Sequence, residues 1–134
     1  MATILIVEDE LFVRQTAEWA VEDMGHVTLM AEDLAEALAH LAATAYIDAL
    51  FVDIRLNDLP QGGYDVASRA VIFHPGLPVL YTSGSVLTDT MRELFVPGGQ
   101  FLQKPYSIPN LETAIEGLLL RSASAAAVVP AGGF

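Results

Sequence analysis

The run Ile4-Leu5-Ile6-Val7-Glu8-Asp9-Glu10 decides how this chain is read: four apolar residues pass without a break into three consecutive carboxylates. An apolar run of that length and β-branched content is a strand buried on both faces, as found in parallel sheets covered by helices. Its charged end needs a reason, because neighbouring carboxylates repel and raise one another's pKa.

Working outward, the same apolar signature recurs at Ala49 to Val52 and Val79 to Tyr81, with His26 to Met30 and Gln100 to Gln103 as the second and fifth strands. Helical patterns lie between them. In residues 11–25, Val13, Ala17, Ala20, Val21 and Met24 recur at helical spacing and Gly25 is a natural stop. Residues 34–44 carry a stripe of Leu34, Leu38 and Leu41; 62–73 form a third helix, ended by the Pro75 and Gly76 segment; 87–95 form a shorter, less apolar fourth. The last helix, 110–121, turns Leu111, Ile115, Leu118 and Leu119 inward. Five strand-helix pairs need crossover connections, so the economical architecture is α/β, a doubly wound parallel sheet with helices on both faces.

The 134 residues are the size of one domain, enough to bury roughly two thirds of the surface of the unfolded chain. Seventeen acidic residues against six basic ones give a net charge of -11, which repels a nucleic-acid backbone or an anionic membrane and disfavours direct DNA binding. No run approaches the roughly 20 apolar residues of a membrane span, and no basic leader precedes the first apolar stretch, so the expected compartment is the cytoplasm. The absence of cysteine removes disulfides, thiolate metal sites and cysteine nucleophiles. His26, His40 and His74 match no local metal-binding spacing and are read as structural or surface residues.

In sheets of this kind ligands bind beyond the carboxyl ends of the strands. That rule gathers Glu8 and Asp9 after strand one, Asp53 after strand three, Thr82 and Ser83 after strand four and Lys104 after strand five. Carboxylates so crowded stay ionised only beside a cation, and an oxygen-only donor set suits Mg2+ better than zinc or iron. The simpler reading, that Glu8, Asp9 and Glu10 only cap the first helix, loses weight once Asp53 joins them. Lys104, the sole lysine, supplies a point charge suited to a phosphate, and Pro105 after it permits a cis bond. Mg2+, a free carboxylate, a hydroxyl and a lysine together suit phosphoryl transfer onto an aspartate, with Asp53 as candidate nucleophile and Asp9 and Glu8 holding the metal.

These residues resemble the receiver domain of bacterial two-component response regulators. The match is carried by Glu8-Asp9, Asp53, Ser83-Gly84 and Lys104-Pro105, with 44 residues from Asp9 to Asp53, 30 on to Ser83 and 21 on to Lys104, and it covers Thr3 to Arg121. While the small-residue, nearly uncharged composition of 123–134 reads as a flexible tail, the resemblance implies a flavodoxin-like, CheY-like (βα)5 fold with strand order 2-1-3-4-5 and a receiver over 1–122. It further implies that Asp53 is the phosphoacceptor, that Asp9 binds Mg2+ directly and Glu8 largely through water, and that the backbone carbonyl of Arg55 is a further ligand. Ser83, which precedes a small residue, matches the switch hydroxyl; Lys104 would contact the phosphoryl group and Phe101 stands at the switch aromatic.

Glu8 and Phe101 depart from the commoner aspartate and tyrosine, and Arg55 from a small or neutral residue. The implied role is that of a signalling domain, not an enzyme proper, that catalyses its own phosphorylation and dephosphorylation. Its implied partners are a histidine kinase or histidine phosphotransfer protein, a downstream protein target and a second copy docked through helix four, strand five and helix five. The origin left open is a stand-alone regulator or a receiver excised from a hybrid histidine kinase. From another class, a Mg2+-dependent aspartyl-phosphate phosphatase would carry a second acid two residues after its nucleophile, where this chain has Arg55.

Overall fold

The computed structural model describes residues 1–132. Its elements alternate as the apolar pattern predicts: β1 (Thr3–Val7), α1 (Leu11–Asp23), β2 (Val27–Ala31), α2 (Leu34–Ala43), β3 (Ala49–Asp53), α3 (Gly62–Phe73), β4 (Val79–Ser83), α4 (Asp89–Glu93), β5 (Gln100–Gln103) and α5 (Ile108–Gly132). All strand pairs are parallel, in the order β2-β1-β3-β4-β5. The class and strand order are those expected.

Period-two alternation divides the strand residues between two cores. Leu5, Val7, Leu50, Val52, Val79 and Tyr81 face α2 and α3 and pack with Ala37, Leu41, Val66, Ala67 and Ala70. Ile4, Ile6, Ala49, Phe51 and Leu80 face α1 and α5 and pack with Ala17, Val21, Leu111, Ile115 and Leu118. Each fully buried leucine or isoleucine contributes roughly 2 kcal/mol of hydrophobic stabilisation. The central strand β3 is buried along its whole length and so fixes the position of Asp53 at its carboxyl end.

Local chemistry sets the helix ends. Gly25, with φ 91, closes α1 in the left-handed conformation that glycine adopts freely. Asp33 caps α2 by accepting from Glu36 N–H at 2.8 Å, and Glu36 Oε1 accepts from Glu32 N–H at 3.1 Å. This reciprocal cap accounts for the acidic trio of exposed Glu32 and Glu36 and half-buried Asp33.

Two expectations are revised. Helix α4 covers only Asp89–Glu93, not 87–95; none of its residues is fully buried and Met91 alone among them packs against the core. The helical backbone of α5 passes residue 121 and reaches Gly132, in keeping with the alanine-rich composition there. The expected tail, 123–134, thus shares this helix up to residue 132, and residues 133 and 134 lie outside the described ones. All three histidines make hydrogen bonds with backbone: His26 Nδ1 accepts from Ala2 N–H, while His40 and His74 pair with the carbonyls of Met30 and Leu41.

Candidate functional site

Strand ends converge on one crevice, as the carboxyl-end rule requires. Oxygens of Glu8, Asp9 and Asp53 lie within 4.8 Å of one another. Lys104 Nζ bridges two of these acids, 2.5 Å from Glu8 Oε1 and 2.9 Å from Asp53 Oδ2. Glu8 and Asp53 are buried, at 4% and 6% exposure, so removing either side of the bridge would leave an uncompensated buried charge. The Lys104–Pro105 peptide is cis.

The opening carboxylates do not cap α1 with their side chains. Glu10 sits at the N-cap by its backbone, and its side chain makes no capping hydrogen bond. Glu8 Oε2 instead accepts from Glu10 N–H at 3.1 Å, so both Glu8 oxygens are engaged by protein donors. Arg14, one turn into α1, donates from Nη1 to the Glu8 carbonyl at 2.8 Å and ties the acidic loop to the helix. Asp9 is held from the other side, its Oδ2 accepting from Asn57 N–H at 2.9 Å.

The electrostatics follow from this geometry. Burial pushes the Glu8 carboxyl up to about 7, against the opposing pull of the Lys104 hydrogen bond and with added repulsion from Asp53. Burial acts in the same upward sense on Asp9, but hydrogen bonding with Glu8 and from the Asn57 amide outweighs it and holds Asp9 below the ordinary range. For Lys104, burial alone would lower the pKa; the hydrogen bonds to Glu8 and Asp53 reverse that and keep the ammonium charged. Tyr106, packed edge-on against Phe51, is pushed up to about 12 by burial and by the charge of Glu8, so its phenol stays protonated.

A cavity of about 600 Å³ opens beside Asp53, with Asp9, Arg55, Ser83, Lys104, Tyr64 and Met91 among its walls. Asp9, Asp53, Arg55, Ser83 and Lys104, all singled out in the sequence, therefore meet at one place, and Glu8 joins them through its ion pair with Lys104. Phe101 does not line this cavity. It stands opposite Tyr81 on β5 and stacks on Phe95 with ring centroids 6.3 Å apart. Phe95 in turn stacks on Tyr81 at 4.1 Å and lies 6.2 Å from Tyr64, so four rings run from the cavity wall to β5.

The expected pair of hydroxyls is split. Ser83 reaches the cavity and accepts from Ser85 N–H at 3.1 Å. Thr82 is buried, and its Oγ1 has no hydrogen-bond partner among the described residues. Burying an unpaired hydroxyl costs about 1–3 kcal/mol, so Thr82→Val is expected to raise stability by about 1 kcal/mol. Urea unfolding measures this, and a loss of stability would show that the hydroxyl is bonded in solution.

Arg14, Asn57 and Tyr64 were missed in the sequence. For Asn57 a signal was present, since an Asn-Asp pair between two leucines is a two-residue turn signature. Arg14 carried none, because its bond to a backbone carbonyl depends on how α1 leaves β1.

A doubly wound sheet with clustered acids and a lysine at its carboxyl edge is the arrangement found in receivers, a class of signalling domain and not a classical enzyme family. Residues 4–116 match the response regulator receiver domain, and the chain belongs to that family. Among curated relatives, the probable transcriptional regulatory protein TcrX of Mycobacterium tuberculosis is 30% identical over 121 residues, covering 90% of this chain and 50% of that protein. A response regulator receiver protein of Sinorhizobium medicae superposes with a TM-score of 0.81 at 30% identity, covering 90% of this chain and 96% of that one. NtrX of Brucella abortus gives 0.85 at 30% identity, with 95% of this chain matched to 29% of that one. The chain spans about half the length of TcrX and 24% of the AlgB regulators it also matches. Among the described residues, no helix is long and apolar enough to cross a membrane.

Proposed function

We propose that the protein takes a phosphoryl group onto Asp53 from the phosphohistidine of a histidine kinase or phosphotransfer protein, and signals by protein contact in the cytoplasm. The observation that carries this reading is Lys104 Nζ at 2.9 Å from Asp53 Oδ2, with Glu8 and Asp9 beside it and a cavity in front. One Asp53 oxygen is oriented by the ammonium, which leaves the other to attack phosphorus in line as the imidazole departs. Lys104 balances charge gathering on the phosphoryl oxygens, and Ser83 lies within the same cavity to accept or donate a hydrogen bond once the group is in place.

The donor set fits a hard divalent ion: oxygens only, from carboxylates held together despite their repulsion. Asp9, Asp53 and the Arg55 carbonyl would hold Mg2+, with Glu8 behind them, and the ion supplies neutralisation of the phosphoryl charge. A partner helix has a natural seat in the apolar groove of about 590 Å³ that adjoins Lys104 and is lined by Phe12, Val13, Thr16, Pro105 and Tyr106. Phe12 is 75% exposed there. A second copy of this chain would dock through the face of α4, β5 and α5.

Labelling with a small acyl phosphate, with and without Mg2+, tests the reading: one phosphoryl group per chain, dependent on the ion, is the expected result. Sustained turnover of phosphate esters would favour the phosphatase alternative instead. Arg55, exposed at the cavity rim, is expected to contact the phosphoryl group and slow or speed its loss. In Arg55→Ala the decay of the acyl phosphate should change measurably; an unchanged decay rate counts against that contact.

A further inference from the structure

We propose that Asn57 is a positioning residue for the carboxylate of Asp9, acting through its left-handed backbone and not through its side chain. The inference rests on the reading of Glu8, Asp9 and Asp53 as a divalent-cation site. Leu56 N–H donates to the Leu59 carbonyl at 3.0 Å and Leu59 N–H returns the bond at 2.9 Å, which closes a two-residue hairpin around Asn57 and Asp58. Asn57 has φ 54, a conformation that asparagine and glycine tolerate and that β-branched residues resist. In that conformation its N–H is aimed at Asp9 Oδ2, 2.9 Å away.

The hairpin is anchored at its base, so the donor cannot drift. Leu56 is fully buried. Gly62 lies so close that a Cβ there would come within 3.1 Å of the Leu56 Cβ and 3.2 Å of the Leu59 Cβ. Gly63 N–H donates to the Ile54 carbonyl at 2.7 Å, and any Cβ on Gly63 would overlap the Asp53 carbonyl oxygen and the Ile54 Cα. The segment that begins at Asp53 therefore returns a fixed amide to Asp9, and one acid's orientation is set by the chain that carries another. Such outer partners of metal-binding carboxylates commonly govern affinity.

Mg2+ titration by isothermal calorimetry, on the 134-residue chain shown folded by circular dichroism, tests the assignment. Asn57→Gly keeps the backbone conformation accessible and is expected to bind Mg2+ within about twofold of the parent. Asn57→Val opposes it and is expected to bind about tenfold more weakly or worse. Asn57→Ala, with a smaller steric penalty, should fall between them and keeps the comparison decisive if the valine variant does not fold. Parent-like affinity in the alanine and valine variants, or a glycine variant as weak as they are, overturns the proposal. A parent protein that takes up no Mg2+ overturns the cation-site reading itself, a result distinguishable from the other two.

Discussion

Asp53→Asn is expected to reduce phosphoryl uptake from a small acyl-phosphate donor to background while leaving the fold intact. The amide retains the shape of the carboxylate but has no anionic oxygen with which to attack phosphorus. The fold should survive because Asp53 ends a strand fixed by its apolar neighbours and by pairing with β1 and β4, not by its own side chain. Removing one acid also relieves repulsion on Glu8, which Asp53 pushes upward. Mass spectrometry of the intact chain after exposure to donor and Mg2+ measures the uptake, and undiminished labelling of the variant would sink the assignment of Asp53.

Lys104→Met is expected to be the most destabilising change at the site, by about 3 kcal/mol at pH 8 in the absence of metal. It strands two buried acids that share one ammonium. The loss should be smaller at pH 5, and the sign follows from Glu8. Its pKa in the folded protein, about 7, lies above the ordinary 4.5, so its contribution is complete below 4.5 and is lost as pH rises through 7. Without the lysine, whose hydrogen bond pulls Glu8 downward, that pKa moves further up and the penalty for ionising Glu8 at pH 8 grows. Urea unfolding of both proteins in a chelating buffer at the two pH values measures the difference. Equal destabilisation at pH 5 and pH 8 would show that the bridge does not control Glu8.

The strands and most helices were legible because burial on two faces writes itself as apolar runs, as in Ile4 to Val7, and as helical stripes such as Leu111, Ile115 and Leu118. The site was legible for a related reason: strand ends are fixed by those runs, and the carboxyl-end rule then gathers Glu8, Asp9, Asp53, Ser83 and Lys104. What sequence could not convey depends on backbone path. Whether Thr82 or Ser83 reaches the cavity is settled by strand alternation at its last residue, and Arg14 and Asn57 meet the acids through a carbonyl and an amide that every residue possesses. Helix α4 is shorter than its pattern because Thr88 caps its start and the chain leaves the helix at Leu94, so Phe95 packs on Tyr81 from outside the helix.

The placement of Asp53 has a mechanical consequence. Its strand is the middle of five, bonded on both sides and buried along its whole length, which restrains it on every side. On the far wall of the same cavity stands α4, five residues long with none buried, the most compliant element beside the site. On the reading of Asp53 as phosphoacceptor, a force generated there would meet a strand bonded on both sides and, across the cavity, the unburied helix α4, so displacement is expected at α4 and at the aromatic rings beside it.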